Sequence, residues 1–122
     1  MYNGTYNKAV SWNSEIDNLI STKLSNRYII TCGHHARQRI AENGLSPKVY
    51  KASLYGEVVE VEFVDGAVHK IITRLPHRTL PYDICSAVMF DGDIAFVKTV
   101  WLNSNTDNHS TIRKENYQLV EV

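Results

Sequence analysis

Between Asp91 and Leu102 the chain reads DGDIAFVKTVWL. From Ile94 onward, one set of alternate residues (Ile94, Phe96, Val100, Leu102) and the other (Ala95, Val97, Trp101) are both mostly apolar. That is the pattern of a strand covered on both faces, so this run reads as the central strand of a sheet. Lys98 and Thr99 interrupt it, and a polar run from Asn103 to His109 follows at once. Two readings stay open for these residues: groups delivered to a cleft, or a lysine that snorkels past the sheet edge with a solvated loop behind it.

The strands that would flank it are marked by turns. Asp91-Gly92-Asp93 closes a hairpin with a preceding strand from Ile84 to Phe90, after a loop punctuated by Pro76 and Pro81. Asp65-Gly66 is a two-residue hairpin signal between Glu57–Val64 and Ala67–Leu75. Within Glu57–Val64, Val59, Val61 and Phe63 fall on one face and Val58, Glu60, Glu62 and Val64 on the other, which predicts a strand with one wetter side.

Upstream of Glu57 the apolar spacing is helical. Ser14 can cap a helix carrying Ile16, Leu19, Ile20 and Leu24, and Gly33 opens a second, from about 34 to 42, with Gly44 placed to stop it in the left-handed conformation. Ser46-Pro47 reads as the start of a third short helix ending near Gly56. Arg27–Cys32 is apolar and β-branched but too short for its register to be read. The expectation is an α+β fold: short N-terminal helices packed on a four-stranded antiparallel β meander.

A chain of 122 residues that is 43% hydrophobic builds one domain with a real core, here 1–122 with residues 1–10 as a flexible arm. Thirteen basic and thirteen acidic residues cancel, so any anion site has to be local. Cys32 and Cys85 lie far apart, and neither an apolar leader nor a run of about 18 apolar residues is present. Reduced thiols in a cytoplasmic protein, with no membrane segment, is the simplest reading.

Three groups of residues could carry chemistry. His34, His35, Arg37 and Arg39 sit at a helix start, where exposed amides favour phosphate and an imidazole can move protons near neutral pH. The rival is a packed histidine with solvated arginines. Arg74, His77 and Arg78 lie at a strand exit and in its loop, and are equally at home as ordinary surface cations. Lys98 and Thr99 within the central strand, with Asn103 and His109 after it, make the third group, and Tyr82 or Trp101 could stack a base or simply fill the core. Should the three converge, they supply what RNA cleavage by a 2′-hydroxyl needs: a base, an acid and cations around the phosphate. Cys32, His34, His77 and Cys85 match no zinc spacing, and Asp91 and Asp93 form a turn rather than a calcium loop, so no metal and no cofactor is expected.

The run HARQRIAENGLS, followed by strands and then DGDIAFVKTVWLN, resembles a family of small bacterial and phage domains. Those begin with a His-Ala-x-x-Arg helix and end in a Val-x-Thr-Val-Trp/Tyr strand. They are placed near the RelE-like toxins in the barnase, EndoU, colicin and RelE ribonuclease-like superfamily. The resemblance spans about residues 34 to 103 and implies an RNA cleft on the sheet and, for many members, an antitoxin that covers it. On it, His35 and Arg37 match the helix His and Arg, Thr99 and Trp101 the final-strand pattern, and Arg74 an inner-strand cation; Asn43 departs, standing where an Arg commonly precedes the Gly.

The function expected is a metal-independent endoribonuclease toxin, with His35, Arg37, Arg74 and His109 catalytic and His34, His77, Arg78, Lys98, Thr99, Trp101 and Asn103 holding RNA. The alternative is a non-catalytic inhibitor, of phage type or bacterial, that keeps the fold and uses the sheet or the first helix to grip a host protein; besides RNA, the expected partner is an antitoxin, an immunity protein or a host protein. Zero net charge favours the second, because phosphate contacts usually dominate RNA affinity.

Overall fold

The computed structural model describes residues 6–10, 14–77, 79–104 and 118–119, with side chains over 14–77 and 79–104. The doubly apolar run forms β6 (Ile94–Ser104), antiparallel to β5 (Tyr82–Asp91). β5 pairs with β4 (Ala67–Pro76), and β4 with β3 (Glu57–Val64), each antiparallel. The sheet does not stop at these four. β2 (Ile29–Cys32) adds parallel to β6, β1 (Tyr6–Val10) adds antiparallel to β3, and β7 (Gln118–Leu119) lies beyond β1. The order is β2-β6-β5-β4-β3-β1-β7, so the fold is α+β with a mixed sheet, and the expected sheet of four antiparallel strands is corrected. Arg27–Cys32 gives β6 a neighbour on its second edge, but the expectation of cover on both faces is corrected: Ala95, Val97 and Val100 are buried, whereas Ile94, Phe96 and Lys98 are exposed.

Helices α1 (Ser14–Leu24) and α2 (His34–Glu42) are joined to the sheet through the residues their spacing selects. Ile16 and Ile20 from α1, with Ala36 and Ile40 from α2, are buried in one apolar cluster with Val58, Val61, Phe63, Ile71, Val88, Val97 and Val100. Burying each large aliphatic side chain contributes about 1.5–3 kcal/mol, more than the intrinsic preference of so short a helix. Gly44, at φ +66°, ends α2 as expected, and the Leu45 amide returns to the Ile40 carbonyl at 3.0 Å. The third helix, Val49–Tyr55, is 3₁₀ rather than α. It is tied down by Thr73 Oγ1, which donates to the Ser53 carbonyl at 2.6 Å.

Bulges change which residues share a face. The β3–β4 register shifts between Val58 and Glu60, so Val58 joins Val61 and Phe63 on the helix side while Val59 is only half-buried. The supposedly wet residues Glu60 and Glu62 are themselves buried, and Lys70 Nζ stands 3.8 Å from Glu62 Oε2. A second shift, between Ala87 and Val88, leaves Lys98 unpaired in the β5–β6 ladder and exposed. No helix among the described residues is long and apolar enough to cross a membrane.

Candidate functional site

Cross-strand rows fix what stands beside what. Glu57, Arg74, Cys85 and Trp101 are successive partners across β3–β6, and Pro76, Asp83 and Asn103 form the next such row. Alternation puts both rows on the face away from the helices, because Thr73 and Leu75 point the other way. Arg74 Nε donates to Asp83 Oδ2 and its Nη2 to the Ser104 carbonyl at 2.8 Å. Both partners of the ion pair are largely covered, 17% and 14% exposed, so the guanidinium plane is fixed rather than waving in solvent. The Cys85 thiol beside it is pushed up to about 11, mainly by burial, with Arg74 opposing and Asp83 adding to the rise. It is therefore a protonated core thiol at neutral pH and no nucleophile.

Three residues on, the backbone amide of His77 donates to the Tyr82 carbonyl at 3.0 Å, carrying the β4–β5 pairing past Pro76. Its ring Nδ1 accepts from the amides of Thr79 at 3.1 Å and Leu80 at 3.2 Å. Two donors aimed at Nδ1 leave the ring proton on Nε2. His77 is thus a fixed imidazole, neither a loose surface cation nor a packed core residue.

Beside these two residues the sheet has a notch. β3 begins opposite Arg74, so Leu75 and Pro76 run on without a β3 partner, and a cavity opens on each side of them. One, of about 370 Å³, is lined by Tyr55, Glu57, Arg74 and Asp83. The other, of about 540 Å³, is lined by Leu45, Val49, Ala52, Ile84 and His77. Gly56 makes the notch passable: a Cβ there would stand 2.9 Å from the Arg74 carbonyl oxygen. Tyr55 and Glu57 were not singled out by sequence reasoning, and Gly56 between them was the available signal.

The helix cluster lies elsewhere. The Gly33 amide donates to the Val97 carbonyl at 3.2 Å, so the start of α2, with exposed His34 and His35, adjoins the bulge that carries Lys98. Gly33 itself is pressed by Phe96, whose Cζ would be 2.7 Å from an added Cβ. Arg37 Nε donates to the Cys32 carbonyl at 3.2 Å and its guanidinium lies 5.5 Å from the centre of the Tyr50 ring, so it straps the helix to the edge strand. The three sequence clusters therefore do not meet in one pocket. Ala36 and Ile40 hold α2 on the helix side of the sheet over β6, whereas Arg74 is on the other face, two strand spacings (about 10 Å) away. What the fold does unite is Arg74 with Trp101 and Asn103 in neighbouring rows, while the start of α2 meets β6 through the backbone of Gly33 and Val97. Thr99 stands in the row of Ile72 and Ala87, half-buried. Arg78 and His109 lie outside the described residues.

Among the described residues no three His, Cys, Asp or Glu side chains gather as a metal ion requires. Comparison with protein-family models, curated proteins and solved structures gives no match.

Proposed function

We propose that this chain is a ribonuclease-like toxin domain that cleaves RNA without a metal, at the notch where β4 outruns β3. The observation that supports it is an immobilised guanidinium, Arg74, and a tautomer-fixed imidazole, His77, presented from opposite faces of β4 across two residues that line a cavity on each side. Fixed donors stabilise a pentacoordinate phosphate without reorganising during the reaction. Arg74 would carry the phosphoryl charge from one face of β4, and the Nε2–H of His77 would reach a second oxygen from the other, with the phosphodiester passing the edge of Leu75–Pro76 that β3 leaves open. Glu57, exposed and directly across the ladder from Arg74, would take the 2′-hydroxyl proton. The leaving 5′-oxygen would need a proton donor, the role the sequence offers to His109, which lies outside the described residues.

Incubation of the purified chain with single-stranded RNA in excess EDTA tests this. Cleavage leaving 2′,3′-cyclic phosphate ends is expected, with deoxy substrates untouched. Glu57→Gln and His77→Ala should each slow it by about 10²-fold or more, the contribution of one positioned proton-transfer or oxyanion group. His35→Ala should not. RNA left intact by the folded protein sinks the reading.

A second reading, a non-catalytic inhibitor, has its own observation. Ile29, Ile94 and Phe96 are 60%, 37% and 37% exposed and adjacent across β2 and β6, an apolar group at the open edge of the sheet. Such a patch beside an edge strand suits a protein partner. Growth arrest in bacteria that persists in Glu57→Gln and vanishes in Ile29→Asp would favour it.

A further inference from the structure

The two cavities flanking Leu75 and Pro76 share those residues as a common wall, yet they differ in character. The first has an aromatic ring at its rim, Tyr55, 83% exposed, beside the Arg74–Asp83 pair. The second is walled by Leu45, Val49, Ala52 and Ile84, with His77 and Ser46 as its hydrogen-bonding side chains. A ring that exposed buries little of its surface in the fold and is suited to stack on another flat ring. An apolar slot with one fixed N–H is suited to take a second such ring edge-on. Between the slots the wall is backbone paired with β5 on one side and lacking a β3 partner on the other, and Pro76 has no amide hydrogen to present there.

From this arrangement we infer that the notch is a two-base site: a single-stranded RNA step crosses Leu75–Pro76 with one base in each cavity and its bridging phosphodiester between Arg74 and His77. The identification of the ligand as RNA rests on the ribonuclease reading above; the two-slot geometry does not. Arg74 and His77 are three residues apart in extended chain, about 10 Å, a span that holds one phosphodiester with a sugar on either side. Both cavities fall within the roughly 300–1,000 Å³ that small-ligand sites occupy. The minimal ligand is therefore a dinucleotide, and the 3′ and 5′ neighbours of the scissile bond are the bases that set preference.

All-2′-deoxy dinucleotides, which lack the attacking hydroxyl, separate binding from cleavage. Titrated into the full chain and followed by amide NMR shifts, a dinucleotide should perturb Glu57 and Leu45 together and bind at least tenfold more tightly than either mononucleotide. Tyr55→Ala should weaken it about tenfold, the loss typical of one stacking partner, while leaving mononucleotide shifts at Leu45 unchanged. Ala52→Phe should fill the second slot and erase the Leu45 shifts alone; Tyr55 is exposed, so its variant tests the site without threatening the core. A dinucleotide that binds no better than a mononucleotide, or that shifts residues of only one cavity, overturns the two-base site. Cleavage of RNA in that case leaves the ribonuclease reading standing, whereas two-slot binding with no RNA cut removes that reading and keeps the site.

Discussion

At the scale of single residues, glycines adjoining the functional elements differ in what they press against, and the difference has a measurable sign. A Cβ at Gly56 would meet the carbonyl oxygen, carbon and nitrogen of Arg74 at 2.9–3.0 Å, all backbone of a central strand. A Cβ at Gly33 would meet the tip of the Phe96 ring at 2.7 Å, but that ring is partly exposed and can swing aside. Gly56→Ala should thus cost about 1–3 kcal/mol, in the range of overpacking, and Gly33→Ala less, although its clash is shorter on paper. Urea midpoints of the two variants check this, and the reverse order would show that the β4 backbone yields more readily than an aromatic side chain. The thiol of Cys85 makes a second case. Its folded value, about 11, lies above the ordinary 9.0 because burial disfavours the thiolate. The unfolded chain therefore releases this proton first on going alkaline. The contribution is complete below pH 9 and disappears as pH climbs towards 11. Unfolding free energies of the parent and of Cys85→Ala, compared from pH 7 to 11, should converge in that window, and a difference that stays constant would mean that the native thiol ionises as freely as an unfolded one.

At the scale of elements, the hairpins were legible and the edges were not, for a physical reason. Asp65 and Gly66 adopt φ +51° and +79°, the double left-handed geometry of a tight turn that twists with its strands, and their residue types announce it locally. Gly66→Ala should accordingly cost about 1–2 kcal/mol, the price of a left-handed non-glycine residue, with Gly66→Val worse; thermal unfolding of both is the check, and equal melting temperatures for all three would contradict the turn. β2 carries no such sign. Four residues hold no readable period, and each pairs with a β6 residue sixty-five positions further on, so parallel pairing of Ile29 with Ile94 is decided by the fold and not by neighbours. The bulge at Val59 is equally silent, since it exchanges Val58 for Val59 in the core without changing composition. Of the candidate site, Arg74 and His77 stood out because cations at a strand exit are visible in a string of letters. Tyr55 and Glu57 did not, because they matter only through the early end of β3, which no local pattern records. His35 and Arg37 were visible for the same reason as Arg74, and α2 carries them away from it because Ala36 and Ile40, the residues that decide where the helix lies, face the other layer.

At the scale of the whole molecule, formal charge is zero, and this restricts how the chain can hold a polyanion. A protein that tracks many phosphates needs a cationic surface, and its affinity collapses with salt because each neutralised phosphate releases counterions. Here the acidic residues Glu57, Glu60, Glu62 and Asp83 share the face that bears Arg74, and Asp83 already answers its charge. Binding through the notch would then draw on base contacts and on one or two phosphates only. With a slope of about −0.7 per phosphate for single strands, log affinity against log salt should fall by only about −0.7 to −1.4. Tyr55→Ala should lower affinity at every salt concentration by the same factor and leave that slope unchanged, whereas Arg74→Lys should keep the charge and the slope but lose the two fixed hydrogen bonds. Fluorescence anisotropy of a labelled oligonucleotide between 50 mM and 300 mM salt measures both quantities. A slope of about −3 or steeper would require a cationic track extending well past the notch, with the exposed Lys98, His34 and His35 corner as the first place to look for it.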